Sequence, residues 1–192
     1  FIRFRRLTPE GIRENVSIQG LEHLEALRHS KRGAIMLTAH YGNWELGGAF
    51  VASMGLPIQA VVRPAGSPPL ERLYRFFREQ RGMQIISLDH AGIGILKAIK
   101  RGGFVALVGV RDFSGHGNPH LFFGRETSLP RGPAWLAHRT GAPLFLGFVT
   151  RAPDDTFILR VHPPIDPARE PSEEAIQDKI VAIMEETIAR DP

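Results

Sequence analysis

The chain has 192 residues, of which 43% are hydrophobic and 23% charged, with no cysteine and a net charge of +4. These proportions are those of one globular domain large enough to bury a core. The missing cysteine excludes disulfides, thiolate metal sites and a cysteine nucleophile, and the longest apolar runs, Phe104 to Val110 and Ala142 to Val149, are too short to span a bilayer.

Along the chain, Thr8-Pro9-Glu10 reads as an N-cap, a first-turn proline and an acid placed to favour the helix dipole. A second helix is predicted from Leu21 to Lys31. Strand and helix then alternate. The predicted strands are 33–39, 57–62, 83–88, 103–109, 143–150 and 157–162, and the predicted helices are 43–54, 68–81, 90–101, 131–140 and 172–190. Ser67-Pro68 opens one of these helices, and Gly55, Gly82, Gly102 and Gly141 punctuate helix ends. The alternation argues for a single α/β domain over residues 1–192, a mainly parallel central sheet flanked by helices. The stretch Arg111 to Phe122 follows a predicted strand and is expected to be a loop rimming the site.

Charge is unevenly spread. Between Arg63 and Arg139 stand twelve Lys or Arg against five Asp or Glu, whereas from Ala152 to Pro192 there are four against ten. Twenty of the 24 basic residues are arginines, whose planar fork suits phosphate and carboxylate. Nucleic acid is disfavoured as the partner, since no binding motif is present and only 8% of residues are aromatic. Anionic lipid headgroups or a phosphorylated acyl carrier fit better. Arg72, Arg75, Arg78 and Lys100 read as ordinary solvated charges on helix faces.

The most chemically suggestive run is His40-Tyr41-Gly42-Asn43-Trp44-Glu45, at the junction of a predicted strand and helix. Asn43 is the expected N-cap, which puts Glu45 in the first helical turn and leaves His40 at the strand end, facing the same crevice. An imidazole near neutral pH suits a general base, and a carboxylate beside it would fix its tautomer and stabilise the imidazolium. Gly42 allows a sharp turn and close approach to a ligand. Gly42 and Asn43 are therefore counted with the substrate-binding residues, and Trp44 as an apolar wall. No Gly-x-Ser-x-Gly elbow exists, because Ser114 has Asp112 where the first glycine should stand.

The run Thr38 to Leu46 resembles the signature block of the bacterial lipid A biosynthesis acyltransferases, within the wider lysophospholipid acyltransferase superfamily. Val62-Arg63-Pro64 with Pro69 to Arg72, Arg111-Asp112 with Phe122-Phe123-Gly124, and Gly132-Pro133-Ala134 through Pro143 resemble the later blocks in order and spacing. The resemblance implies a glycerol-3-phosphate acyltransferase-like fold and transfer of a fatty acyl chain from acyl carrier protein or acyl-CoA to a glycolipid hydroxyl. A lipid A precursor is the first acceptor it implies, and a phosphatidylinositol mannoside or a lysophospholipid is the alternative. It implies His40 and Glu45 as catalytic residues, Arg63, Arg111 and Asp112 in acceptor binding, and no metal or cofactor. Since related proteins carry an N-terminal hydrophobic anchor, the chain is expected to be the soluble core of an enzyme at the cytoplasmic face of the inner membrane. A non-catalytic lipid-binding module is the competing reading. Many relatives have an acid two positions before Asp112, where this chain has Val110; the Arg-Asp variant resembles the phosphatidylinositol mannoside acyltransferases.

Three other features carry less weight. His116 and His120 have a spacing that two metal ligands could share but no third ligand. Gly92-Ile93-Gly94 lacks full phosphate-loop spacing and reads as the start of a helix with Ile95, Leu96 and Ile99 inward. His23 and His138 lie on helical segments as structure.

Overall fold

The computed structural model describes residues 8–88, 91–112, 115 and 117–192. Ser114 and His116, singled out in the sequence, lie outside them. Thr8 caps α1 (Pro9–Asn15), its hydroxyl oxygen accepting from the Gly11 N–H at 3.1 Å. Then come β1 (Val16–Gln19), α2 (Leu21–Ser30), β2 (Ala34–Thr38), α3 (Trp44–Ser53), β3 (Ile58–Val62), α4 (Pro68–Glu79), β4 (Gln84–Ser87), α5 (Ala91–Lys100) and β5 (Phe104–Val108). After them follow β6 (Asn118–Phe122), β7 (Arg125–Leu129), α6 (Gly132–Thr140), β8 (Leu144–Arg151), β9 (Phe157–Val161), a short 3-10 turn at Pro167–Arg169, and α7 (Glu173–Arg190).

Seven strands make one sheet in the order β1-β9-β8-β2-β5-β3-β4, with every neighbour parallel except β8 and β9. The mainly parallel α/β sheet expected from the alternation is the fold. β2 shows why its sequence is apolar throughout. Ala34 and Met36 face a cluster with α1, α2 and α3, whereas Ile35 and Leu37 face one with α5, α6 and α7, so neither side meets water. On α7, Ile176, Ile180 and Met184 recur every four residues and are all buried against the second face. α3 is buried from Leu46 through Val51.

Three expectations fail locally. β1 was unforeseen: Val16 and Ile18 alternate with exposed Ser17 and Gln19, and four residues pair in parallel with β9 at the sheet edge. The expected loop Arg111 to Phe122 ends in a strand, because Asn118–Phe122 pairs antiparallel with Arg125–Leu129. Phe123 (φ 49°) and Gly124 (φ 71°) form the two-residue link, the backbone handedness such tight hairpins demand. Leu96 on α5 points outward, while Ile95 and Ile99 are buried as expected.

Candidate active site

Parallel order decides where functional side chains gather. β2, β5 and β3 are consecutive neighbours, so the segments leaving their carboxyl ends open onto one crevice. His40 follows β2, Arg111 and Asp112 follow β5, and Arg63 follows β3; all four line one cavity of about 840 Å³. With a strand spacing of about 4.8 Å, the strands bearing His40 and Arg63 run roughly 10 Å apart. Trp44, Val61, Val62, Leu107 and Val108 add apolar wall.

The signature turn is held from beneath. Asn43 caps α3 as expected, accepting from the Leu46 N–H at 3.1 Å, and donates its own N–H to the Val149 carbonyl of β8 at 2.9 Å. Gly42 has φ 61°, and a Cβ there would fall 1.9 Å from the Val149 carbonyl oxygen. The glycine is thus required for contact with β8, and neither Gly42 nor Asn43 lines the cavity. Tyr41 turns away too: its hydroxyl donates to the Asp191 carbonyl and its ring meets Phe148 edge-on at 6.1 Å. Arg160 completes that anchor by donating to Asp191 at 3.0 Å and to Thr150 at 2.8 Å. Burial, with the Asp191 carboxylate nearby, pushes the Tyr41 phenol above its ordinary value.

His40 and Glu45 both line the cavity. The imidazole packs edge-on to Trp44, with ring centroids 5.1 Å apart. Glu45 takes its hydrogen bonds from Arg78 on α4, whose Nε lies 3.2 Å from both carboxylate oxygens and whose Nη2 also donates to Oε1. Arg78 is therefore no solvated helix charge, its side chain being only 17% exposed and that of Glu45 15%. A glutamate planted in the first turn of a buried helix needs a cation, and α4 brings one across the crevice.

The other acids of the cavity are also committed. Glu71 accepts from the Ala65 N–H at 2.8 Å. Asp112 accepts from the Gly117 N–H at 2.8 Å and the Ser128 hydroxyl at 3.4 Å, tying the segment after β5 to the base of the β6–β7 hairpin. Arg131, which lines the cavity but carried no sequence signal of function, forms a two-pronged pair with Glu173 at 3.1 and 3.3 Å. Arg63 and Arg111 present exposed side chains at the cavity wall. His120 lies on β6 with Nδ1 3.7 Å from Asp178, away from the cavity. The result is an apolar slot rimmed by guanidinium groups, with one imidazole at its wall. Such a site can hold an aliphatic chain, meet anionic groups and take up a proton.

Comparison with known proteins agrees with this architecture. The solved 1-acyl-sn-glycerophosphate acyltransferase from Thermotoga maritima has the same fold, with a TM-score of 0.56 over 98% of this chain and 85% of that one, at 15% identity. Phosphatidylinositol mannoside acyltransferases from Mycolicibacterium smegmatis and Mycobacterium tuberculosis are 29% and 30% identical over 69% and 66% of this chain. These matches cover 45% and 42% of the relatives' length, so the chain spans less than half of each as aligned. The class of families these matches define is that of the acyltransferases. More particularly, residues 1–192 match the bacterial lipid A biosynthesis acyltransferase family throughout, and the chain belongs to that family.

Proposed function

We propose that the chain moves a fatty acyl group from a carrier thioester, on acyl carrier protein or coenzyme A, to a hydroxyl of a glycolipid at a membrane surface, with His40 as general base. The observation that carries this reading is the shared cavity: His40 meets Arg63, Arg111 and Asp112 there, at the carboxyl ends of three adjacent strands. His40 takes the acceptor proton as the hydroxyl oxygen attacks the thioester carbonyl. The carbon–sulfur bond breaks, and the imidazolium returns the proton to the departing thiolate. Glu45 acts on the imidazolium through its charge, its own position fixed by Arg78. The apolar slot takes the acyl chain, and Arg63 and Arg111 take anionic or hydroxyl-rich parts of the acceptor.

Family membership favours a lipid A precursor as acceptor. A second reading, acylation of a phosphatidylinositol mannoside, is favoured by the names of the curated relatives and by Val110 in place of an acid before Arg111-Asp112. The test is incubation of the protein with radiolabelled acyl-carrier protein or acyl-CoA and each acceptor, with product lipids read by mass spectrometry. Label in one glycolipid identifies the acceptor. Binding of lipid without turnover on any acceptor would overturn the enzymatic reading in favour of a binding module.

A further inference from the structure

We propose that the rim of the cavity, formed by α4, the start of α5 and the β6–β7 hairpin, is the surface by which this enzyme docks onto an anionic phospholipid bilayer. The inference rests on the reading that its acceptor is a lipid. Among the described residues, the exposed large hydrophobic side chains are Leu70, Leu73, Phe76, Leu88, Ile93, Leu96, Leu121, Phe123 and Trp135. All of them fall in segments that follow β3, β4 and β5, the strands whose carboxyl ends open into the cavity, or in the hairpin and helix beyond. Among the described residues, those before Leu70 and after Trp135 contribute none. Scattered exposed apolar residues are ordinary; nine gathered in one stretch, Leu70 to Trp135, with Leu88 itself lining the cavity, mark an interaction surface.

α4 shows the orientation. None of its 12 residues is fully buried. It directs Glu71, Tyr74 and Arg78 into the cavity and leaves Leu73 and Phe76 outside, Phe76 at 54% exposure. Arg72 and Arg75 stand beside them, also exposed. A helix with apolar side chains and arginines on its outer surface is suited to lie in the plane of a lipid interface. On the hairpin, Pro119 and Leu121 of β6 and Phe123 of the link are exposed, Leu121 at 70%. Phe123 has a positive φ, a conformation a bulky residue adopts only under constraint, and its N–H is fixed on the Glu185 carboxylate at 2.5 Å. The fold thus holds an aromatic ring outward at the hairpin tip.

Charge selects the occupant. The stretch from Arg63 to Arg139 that exposes these side chains also carries the excess of twelve basic over five acidic residues. A surface that is both apolar and cationic matches the headgroup layer of an anionic membrane. The cavity mouth would then face the layer that holds a lipid acceptor, so the acceptor need not leave the bilayer entirely.

Co-sedimentation with phosphatidylcholine vesicles, with and without phosphatidylglycerol, tests the surface in the absence of any acyl donor or acceptor. The protein should bind the anionic vesicles, and binding should fall steeply with added salt. Leu73→Gln with Phe76→Gln, and separately Leu121→Gln, should each weaken vesicle binding about tenfold or more. Thermal stability and turnover on detergent-dispersed acceptor should be unchanged, since these side chains are exposed and lie outside the cavity lining. Vesicle binding equal to wild type in both variants would overturn the proposal. So would variants that instead lose binding to acyl carrier protein, or lose self-association in sedimentation velocity, with vesicle binding intact. Failure of the proposed acyl transfer on every acceptor, with anionic vesicle binding retained and sensitive to these substitutions, would leave the docking surface standing and remove the reaction.

Discussion

Replacing Arg78 by alanine is the perturbation that most directly probes how the site is held. The lost contact is a two-pronged, charge-assisted pair, with Nε 3.2 Å from each Glu45 oxygen and side-chain exposures of 17% and 15%. Breaking a fully buried pair costs about 3–5 kcal/mol because the remaining charge is stranded. An exposed pair is worth about 0–1 kcal/mol. This pair lines a cavity that water can enter, which places the loss between those limits, at about 2 kcal/mol. For a chain of this size that corresponds to a fall in Tm of roughly 4–8 °C. A double-mutant cycle with Glu45→Gln, followed by denaturant unfolding, isolates the pair. Arg78→Ala in the Glu45→Gln background should cost less than alone, with a coupling of about 1–2 kcal/mol. Activity gives the second readout: Arg78→Ala should lower kcat with little change in acceptor KM, and Arg78→Lys should restore it only in part, because an ammonium lacks the fork. Additivity of the single substitutions within about 0.5 kcal/mol, together with unchanged kcat, would refute the assignment of Arg78 as a positioning residue.

His40→Ala should leave unfolding unchanged and reduce acyl transfer by about a hundred- to ten-thousandfold, measured as labelled product per enzyme; near-normal turnover would remove His40 from the mechanism. Gly42→Ala should destabilise the fold by more than the about 1–2 kcal/mol of its left-handed backbone alone, since the new methyl would meet the Val149 carbonyl at 1.9 Å; unfolding curves matching wild type would show that the turn can move off β8. His162 is half-buried, and burial holds its imidazole below the ordinary 6.5, beside the Thr187 hydroxyl at 3.0 Å. The unfolded chain therefore takes up a proton that the folded chain resists. Unfolding free energy should decline as pH falls through about 6.5 toward the depressed value, and His162→Gln should flatten that part of the pH–stability curve.

How far the sequence foretold this molecule depends on whether each signal was local. Strands such as Ala34–Thr38 and Leu144–Arg151 announced themselves because burial on both faces demands an unbroken apolar run. β6 and β7 did not, since Asn118-Pro119-His120 and Arg125-Glu126-Thr127 are polar and are defined by pairing with each other. The gathering of His40, Arg63, Arg111 and Asp112 was legible because a parallel sheet sends every carboxyl end to one edge. Arg78 was not. On α4, arginines at 72, 75 and 78 repeat every three residues, a spacing indistinguishable from a solvated stripe, and the carboxylate that singles out the last of them is 33 positions away. Glu45 was read correctly as a first-turn acid, yet its hydrogen-bond partner comes from another helix.

The two walls of the cavity differ in how firmly they are built. α3 is packed from Leu46 to Val51 between sheet and α1, while α4 buries none of its residues and is tied across the crevice by Arg78. Local opening costs least where few apolar contacts must be broken, so amide protons of α4 should exchange well before those of α3. On the proposed reaction, an acyl chain of variable length would be accommodated by displacing one wall without disturbing the wall that carries His40. Substitutions that alter which acyl length is accepted are accordingly expected to collect on α4, where a change in volume is borne by a loosely held helix and not by the core.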